Sequence, residues 1–322
     1  MAASVQPESI LKELAHLWVG LGHEEDANAA GQGVLRACAM TLVIATGERD
    51  DPQSLGETIA DLMPQHPSRV IVLRLSSSTG NELESRVFAQ CWRPFGRRQQ
   101  ICCEQVEITA SPSRFPDLPK LILGLTVPDL PVVLWLRGVL IGEHPEFRQV
   151  LGLPDKVIVD SAHFADPAKG LENVRALNQR GWNVADLEWT RLTPWRENVA
   201  HIFDDQQNRQ ALTEIEHARI SYTGDAPPVS AHYLRAWLAR LLPRHVELSF
   251  QSVVAEAGPR IRRIALEGRS FSAAASLEGT CAVITVNRQT QRSAFPAQSE
   301  CELLREELSI IGVDTIFRGC LE

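Results

Sequence analysis

"ACAMTLVIA" (residues 37–45) contains a single polar side chain, Thr41. A strand with one face in water alternates apolar and polar residues. A run that is apolar at both odd and even positions reads as a strand buried on both faces. Strands of that kind belong to parallel sheets covered by helices on both sides, so these nine residues set the expected fold class. Downstream, Leu55, Ile59, Leu62 and Met63 recur at helical spacing, and "RVIVLRL" (69–75) is a second buried strand. The alternation continues. A helix is expected over 81–92 from Leu83, Val87 and Cys91, then strand "ICCEQVEIT" (101–109), helix 117–126, strand "PVVLWL" (131–136), helix 144–151 and strand "KVIVD" (156–160). Upstream, Ile10, Leu11, Leu14, Leu17, Trp18 and Leu21 form one helical stripe, and "GHEEDANAAGQG" (22–33) reads as a flexible connector.

The second half changes character. A strand at "EHARISY" (216–222) and a breaker, "TGDAPPVS" (223–230), precede an amphipathic helix carrying Tyr233, Leu234, Trp237, Leu238, Leu241 and Leu242. Strands with period-two apolar patterns follow, led by Val246, Ile264, Phe271 and Ala282, with Glu-Gly turns at 267–268 and 278–279. A last helix opens on the capping box Ser299-x-x-Glu302 and stops near Gly312. The expectation is an N-terminal three-layer α/β domain with a largely parallel sheet, followed by an α+β domain with an antiparallel meander. Residues 1–33 form the helix and connector, 34–165 the first domain and 166–322 the second, with an alternative break near 223–230.

The 322 residues carry a net charge of −8, which argues against nucleic acid and anionic membrane as partners. The longest apolar tract (121–142) is broken by Pro128, Asp129 and Pro131 and holds Arg137, whose charge at a membrane centre would cost roughly 2.5–3.5 kcal/mol. No signal-peptide pattern opens the chain, so a cytoplasmic location is expected. The seven cysteines form no C-x-x-C pair and read as free thiols; Cys102 and Cys103 are adjacent, too close for a disulfide and directed to opposite strand faces.

Candidates for chemistry are few. The loop Ser76, Ser77, Ser78, Thr79 and Gly80 runs from a strand into an expected helix and could hold phosphate, although Thr79-x-x-Glu82 is itself a capping box. No nucleotide-binding glycine motif, metal-ligand spacing or nucleophile–base arrangement is present, so no cofactor, metal or catalytic residue is expected. Glu197 and His201 read as an exposed helical pair.

"DLEWTRLTPWRENVAHIF" (186–203) is the densest motif. Thr193 suits a helix N-cap and Pro194 the first turn, and Trp195, Val199, Ile202 and Phe203 form an apolar stripe, making Trp195 a core anchor. Trp189, Arg191, Arg196 and Glu197 stand off that stripe. Trp and Arg dominate interface hot spots, so these four are candidate partner-binding residues, the alternative being internal Arg–Glu pairing.

"HPSRVIVL" (66–73), "ICCE" (101–104), "VPDLPVVLW" (127–135), "VIVDS" (157–161) and "DLEWTRLTPWRE" (186–197) together resemble the glucose-6-phosphate dehydrogenase assembly protein family, OpcA, over residues 36 to 245. The resemblance implies a non-catalytic assembly factor and allosteric activator that binds glucose-6-phosphate dehydrogenase directly, favours its active oligomer and so supports NADPH supply by the pentose phosphate pathway. The competing expectation is a sugar-phosphate-binding α/β protein, or an enzyme, using Ser76–Gly80 with Asp160 and Ser161.

Overall fold

The computed structural model describes residues 5–26, 34–94, 100–138, 145–164, 166–254, 258 and 260–322. Residues 27–33 of the expected connector, 139–142 of the long apolar tract and 144 of the expected helix 144–151 lie outside the described residues. The chain divides into two compact units. One takes the chain to Val159 with Trp182–Val184 and Glu300–Gly312; the other takes Asp160–Gly181, Ala185–Ser299 and Val313–Glu322.

The first unit is built on the strands β1 (Val34–Arg36), β2 (Met40–Gly47), β3 (Ser68–Leu75), β4 (Leu83–Trp92), β5 (Gln100–Ala110), β6 (Val132–Arg137) and β7 (Lys156–Val159), with the short β8 (Val184–Asp186) at the unit boundary. Their order is β1-β5-β3-β2-β6-β7-β8, and β4 pairs antiparallel to β5. The pairs β2–β3, β2–β6, β3–β5 and β6–β7 are parallel. Counted from β2 and leaving out β4, the central strands run third, second, first, fourth, fifth, the order of a doubly wound sheet with its switch point at β2. Leu42, Val43, Ile44 and Ala45 are all essentially inaccessible, so both faces of β2 are covered. Leu42, Val43 and Ile44 each contribute about 1.5–3 kcal/mol by leaving water.

Around the sheet lie α1 (Pro7–Asp26), α2 (Pro52–Leu62), α3 (Leu118–Leu125) and, from the distant end of the sequence, a helix at Glu300–Leu308. α1 belongs to this unit. Its Trp18 Nε1 donates to Glu104 at 2.6 Å, and the same carboxylate pairs with Arg36 and with buried Arg69.

Three local expectations need correction. Residues 81–92 form strand β4, not a helix. Leu83, Val87 and Cys91 are spaced by four, an even interval that places them on one face of a strand as readily as on one face of a helix, and Glu84, Arg86 and Phe88 alternate outward. The 145–152 segment is a 3₁₀ helix. The cysteines are not all free: Cys91 and Cys102 face each other across β4 and β5 and form a disulfide. Cys103 is buried on the opposite side, where loss of water pushes its thiol up to about 11.

The second unit holds α4 (Pro167–Gln179), α5 (Leu187–Thr190), α6 (Thr193–Ile202), α7 (Gln206–Gln210), β9 (Ile215–Tyr222), α8 (Val229–Leu241), β10 (Glu247–Ser252), β11 (Ile261–Gly268), β12 (Ser272–Glu278), β13 (Cys281–Val286) and β14 (Gln289–Ala294). The chain then passes through α9 (Glu300–Leu308) of the first unit and returns as α10 (Thr315–Leu321). The six strands are ordered β10-β9-β11-β12-β13-β14 and all pair antiparallel except β10 with β9. Ile220, Ile264, Ala275 and Ile284 stand in register across one face, and Ala218, Leu266, Ala273 and Val286 form the neighbouring row. Gly268 ends β11 where a Cβ would come within 2.3 Å of the Glu214 carbonyl oxygen, so only glycine fits.

Candidate functional site

The motif at 186–197 lies in the second unit and is organised by Asp186. This residue N-caps α5: its Oδ1 accepts from the Glu188 amide at 2.9 Å and the Ser161 amide at 3.0 Å, and its Oδ2 accepts from the Tyr233 hydroxyl at 2.7 Å. Asp186 is wholly buried. Loss of water pushes its carboxyl up to about 7, against the opposing pull of the Ser161 and Tyr233 hydrogen bonds. Two residues further on, Glu188 pairs with Arg191, which also grips Asp160 through both terminal nitrogens at 2.9 and 3.3 Å. Burial raises the Glu188 carboxyl, and Arg191 and Ser230 counter it. For Arg191, burial works against the charge, but Asp160 and Glu188 outweigh it and hold the proton more tightly.

Trp189 is 2% exposed. Its Nε1 donates to Asp314 at 2.9 Å, and its ring lies 5.4 Å from Phe317 and 6.2 Å, edge-on, from Tyr233. Asp314 in turn caps α10 by accepting from the Ile316 and Phe317 amides. Arg196 lies over the Trp189 ring itself, its guanidinium carbon 3.7 Å from the centroid, and it donates to Thr193 Oγ1 at 2.9 Å. The motif therefore ties α5 and α6 to α8 and α10 through aromatic contacts and charge-assisted hydrogen bonds.

The four candidate residues thus occupy different positions. Trp189 is interior and can only position its surroundings. Arg191 keeps 34% of its side chain accessible, Arg196 is half-buried, and Glu197 is exposed. Trp195 packs inward against Phe295, with 5.2 Å between ring centres. Two details differ from the sequence reading. Leu192, not Thr193, is the cap residue of α6, and the Thr193 hydroxyl serves Arg196. His201 turns away from Glu197 and meets Asp204 at 2.8 Å, because Asp204 lies three residues on, past the end of the helix, where the ring can reach it.

A cavity of about 400 Å³ opens beside this motif within the second unit. Leu192, Trp195, Leu277 and Phe295 give it apolar walls, and Glu188 and Arg191 supply its charged side. Its size and its few convergent polar groups are those of a site for a small ligand or for one anchoring side chain of a partner.

The serine loop is already engaged by a carboxylate. Glu48 accepts from the Ser76 hydroxyl at 2.7 Å, the Ser77 amide at 2.7 Å and the Ser77 hydroxyl at 2.6 Å. The Ser77 and Ser76 hydrogen bonds hold the Glu48 carboxyl down to about 2. The loop runs on through Ser78, Thr79 and Gly80 into a strand, so Thr79 and Glu82 do not cap a helix. A phosphate there would have to displace Glu48. Asp160 and Ser161, its proposed companions, serve Arg191 and Asp186 in the second unit.

The switch point of the parallel sheet is also charged and filled. Arg137, at the end of β6, pairs with Asp50 and with Glu300 and donates to Ser54 Oγ at 3.1 Å. Asp51 caps α2. A dinucleotide phosphate at this turn would meet Glu48, Asp50 and Asp51. Among the described residues, no group of three or more His, Cys, Asp or Glu side chains is placed to hold a metal, and no helix is long and apolar enough to cross a membrane.

The sequence singles out neither Glu188 nor Asp314, and it shows Tyr233 only as part of the apolar stripe of α8. Asp186 carried a signal, since Asp two residues before Glu at the mouth of a helix is a capping pattern. Tyr233 and Asp314 lie 47 and 125 residues from their partners and carried none.

Two families match the chain in order: the glucose-6-phosphate dehydrogenase subunit N-terminal domain over residues 59–176 and the corresponding C-terminal domain over residues 182–321. A putative OxPP cycle protein OpcA from Synechocystis sp. is 30% identical over 223 residues, 66% of this chain and 46% of that protein. Its namesake from Nostoc punctiforme is 29% identical over 181 residues, 55% of this chain and 38% of that protein. The matched regions thus span less than half the length of these relatives. Among solved structures, a 3-ketoreductase from Actinomadura kijaniata aligns with a TM-score of 0.47 and 13% identity, over 87% of this chain and 94% of that one. With both domain families matched in sequence order, the chain belongs to the glucose-6-phosphate dehydrogenase assembly protein family, OpcA.

Proposed function

We propose that this protein is a non-catalytic partner of glucose-6-phosphate dehydrogenase, binding the enzyme directly and favouring its active oligomer. The observation that carries the reading is the ordered match to both dehydrogenase-subunit domains, which includes the 186–197 motif. The geometry supports it in two ways. The sheet's switch point is occupied by the chain's own ion pairs rather than by free donors, and the 186–197 motif builds a rigid, Arg- and Trp-rich block beside an apolar cavity.

In this reading Arg191, Arg196 and Glu197 border the contact surface and Trp189 positions it from within. The cavity beside Trp195 receives one apolar side chain of the dehydrogenase. Activation then follows from differential affinity: a preference of about 1.4 kcal/mol for the active state of the enzyme shifts its equilibrium tenfold. Sedimentation of the mixture with the cognate dehydrogenase tests the association. A faster-moving complex is expected, weakened by Glu197→Arg. Independent sedimentation of the two proteins at micromolar concentration would remove the proposal.

A further inference from the structure

The second unit carries a second concavity, of about 340 Å³, formed by α4, α8 and β10 and sharing no lining residue with the cavity beside the 186–197 motif. His232, Arg235, Ala236 and Ala239 recur at i, i+3, i+4 and i+7 on α8, Arg175 comes from α4, and Leu248 from β10. The cationic groups are held in place by uncharged partners. The Arg235 guanidinium carbon lies 5.2 Å from the centre of the Phe250 ring, and the His232 ring stands edge-on to the same phenyl at 5.3 Å. Arg175 donates through Nε to the Leu321 carbonyl at 3.1 Å, leaving its terminal nitrogens to the concavity.

Among the described residues, neither Arg175 nor Arg235 forms an ion pair with a carboxylate. In a chain with net charge −8, that is an uncompensated positive site. The field is felt at the imidazole: burial lowers the His232 pKa first, and Arg235 and Arg175 lower it further. Like charges gathered on one small concavity repel one another, and a bound anion relieves that repulsion.

From the two guanidiniums and the imidazole lining one cavity, we infer that this concavity binds the phosphate group of a small phosphorylated metabolite. Guanidinium forks match phosphate oxygens in pairs. The volume lies at the small end of ligand sites, and Ala236, Ala239 and Leu248 leave room and apolar surface for a short carbon skeleton. Six residues from three elements line it, the footprint of one small ligand rather than of an extended acidic segment. The inference goes beyond the proposed association with the dehydrogenase and does not depend on it.

The test is a titration of the full chain with inorganic phosphate at constant ionic strength, following the His232 imidazole resonances by NMR, with those of exposed His201 as the internal control. Saturable movement of the His232 signals alone is expected, with at least tenfold weaker binding in Arg235→Gln. Arg175→Gln should weaken binding similarly; because Arg175 also touches Leu321, Arg235→Gln is the decisive variant. Glucose 6-phosphate in place of phosphate then distinguishes sources: tighter binding assigns the organic portion to the apolar wall, and equal binding assigns a site for the phosphate group alone. No saturation up to about 10 mM phosphate overturns the inference. So does an unchanged affinity in Arg235→Gln.

Discussion

The Arg196 guanidinium sits 3.7 Å from the centre of the Trp189 ring, over a side chain that is itself 2% exposed. A cation held against a buried indole is desolvated on one side, where such contacts reach about 2 kcal/mol. The most recognisable motif of the sequence therefore begins as a piece of interior architecture, and what it offers a partner is the outer side of that architecture.

Trp189→Ala removes three ring contacts and the indole donor to Asp314 Oδ2. It is expected to destabilise the protein by about 3–5 kcal/mol, the usual range for emptying a buried aromatic site. Trp189→Phe keeps most of the apolar contact and loses the indole N–H, so a cost nearer 1–2 kcal/mol is expected. Urea denaturation of both variants measures the difference. Equal costs would show that the hydrogen bond to Asp314, and not the packing, dominates.

Arg191→Ala leaves Glu188 and Asp160 without their cation, and Glu188 is almost wholly buried. Breaking a buried pair on one side costs about 3–5 kcal/mol. Glu197→Ala, on the exposed side of α6, should change stability by less than about 0.5 kcal/mol. Stability curves for the two variants check this. The contrast decides how binding data are read: a lost interaction in Arg191→Ala can be a folding effect, whereas one in Glu197→Ala cannot.

Asp186 titrates at about 7 in the folded protein, against 3.8 ordinarily. Between those two values the folded state retains a proton that the unfolded state has released, so this group's contribution to stability falls as pH rises from about 4 to 7 and levels off above. Asp186→Asn can still accept from the Ser161 amide but does not titrate. The fall in unfolding free energy between pH 5 and pH 8 should be smaller in the variant than in the wild type. Parallel pH profiles would mean that Asp186 is ionised throughout.

Gly268→Ala places a Cβ 2.3 Å from the Glu214 carbonyl oxygen, where the obstacle is backbone. Separation of β9 from β11 at that end is expected, with a loss of more than about 2 kcal/mol, of the size that backbone incompatibility produces. Gly279→Ala, on an open turn with φ +61° and nothing near its Cβ, should cost about 1 kcal/mol. Thermal melting of the two variants ranks them.

The parallel sheet was legible because burial on both faces writes itself into a sequence as apolar residues at odd and even positions alike, as at 42–45 and 70–73. Strand β4 was misread because an interval of four fits both periodicities, and only the neighbouring Val87 and Phe88, one β-branched and one aromatic, hinted at a strand. The disulfide was illegible. Cys91 is eleven residues from Cys102, and their pairing depends on a register that only the strand assignment for 83–92 reveals. In the motif, Trp195 was readable as core from its stripe. Trp189 was not, since its neighbours Tyr233, Asp314 and Phe317 come from helices that no local pattern links to it. The serine loop looked like a phosphate site until Glu48, 28 residues earlier, was found to fill it.

The most direct measurement of the central claim is a titration of this protein into its cognate glucose-6-phosphate dehydrogenase at low glucose 6-phosphate, following NADPH formation. A saturable rise in rate, smaller in Glu197→Arg at equal concentration, is the result the account predicts. An unchanged rate at every concentration, under conditions where the dehydrogenase is active alone, would contradict it.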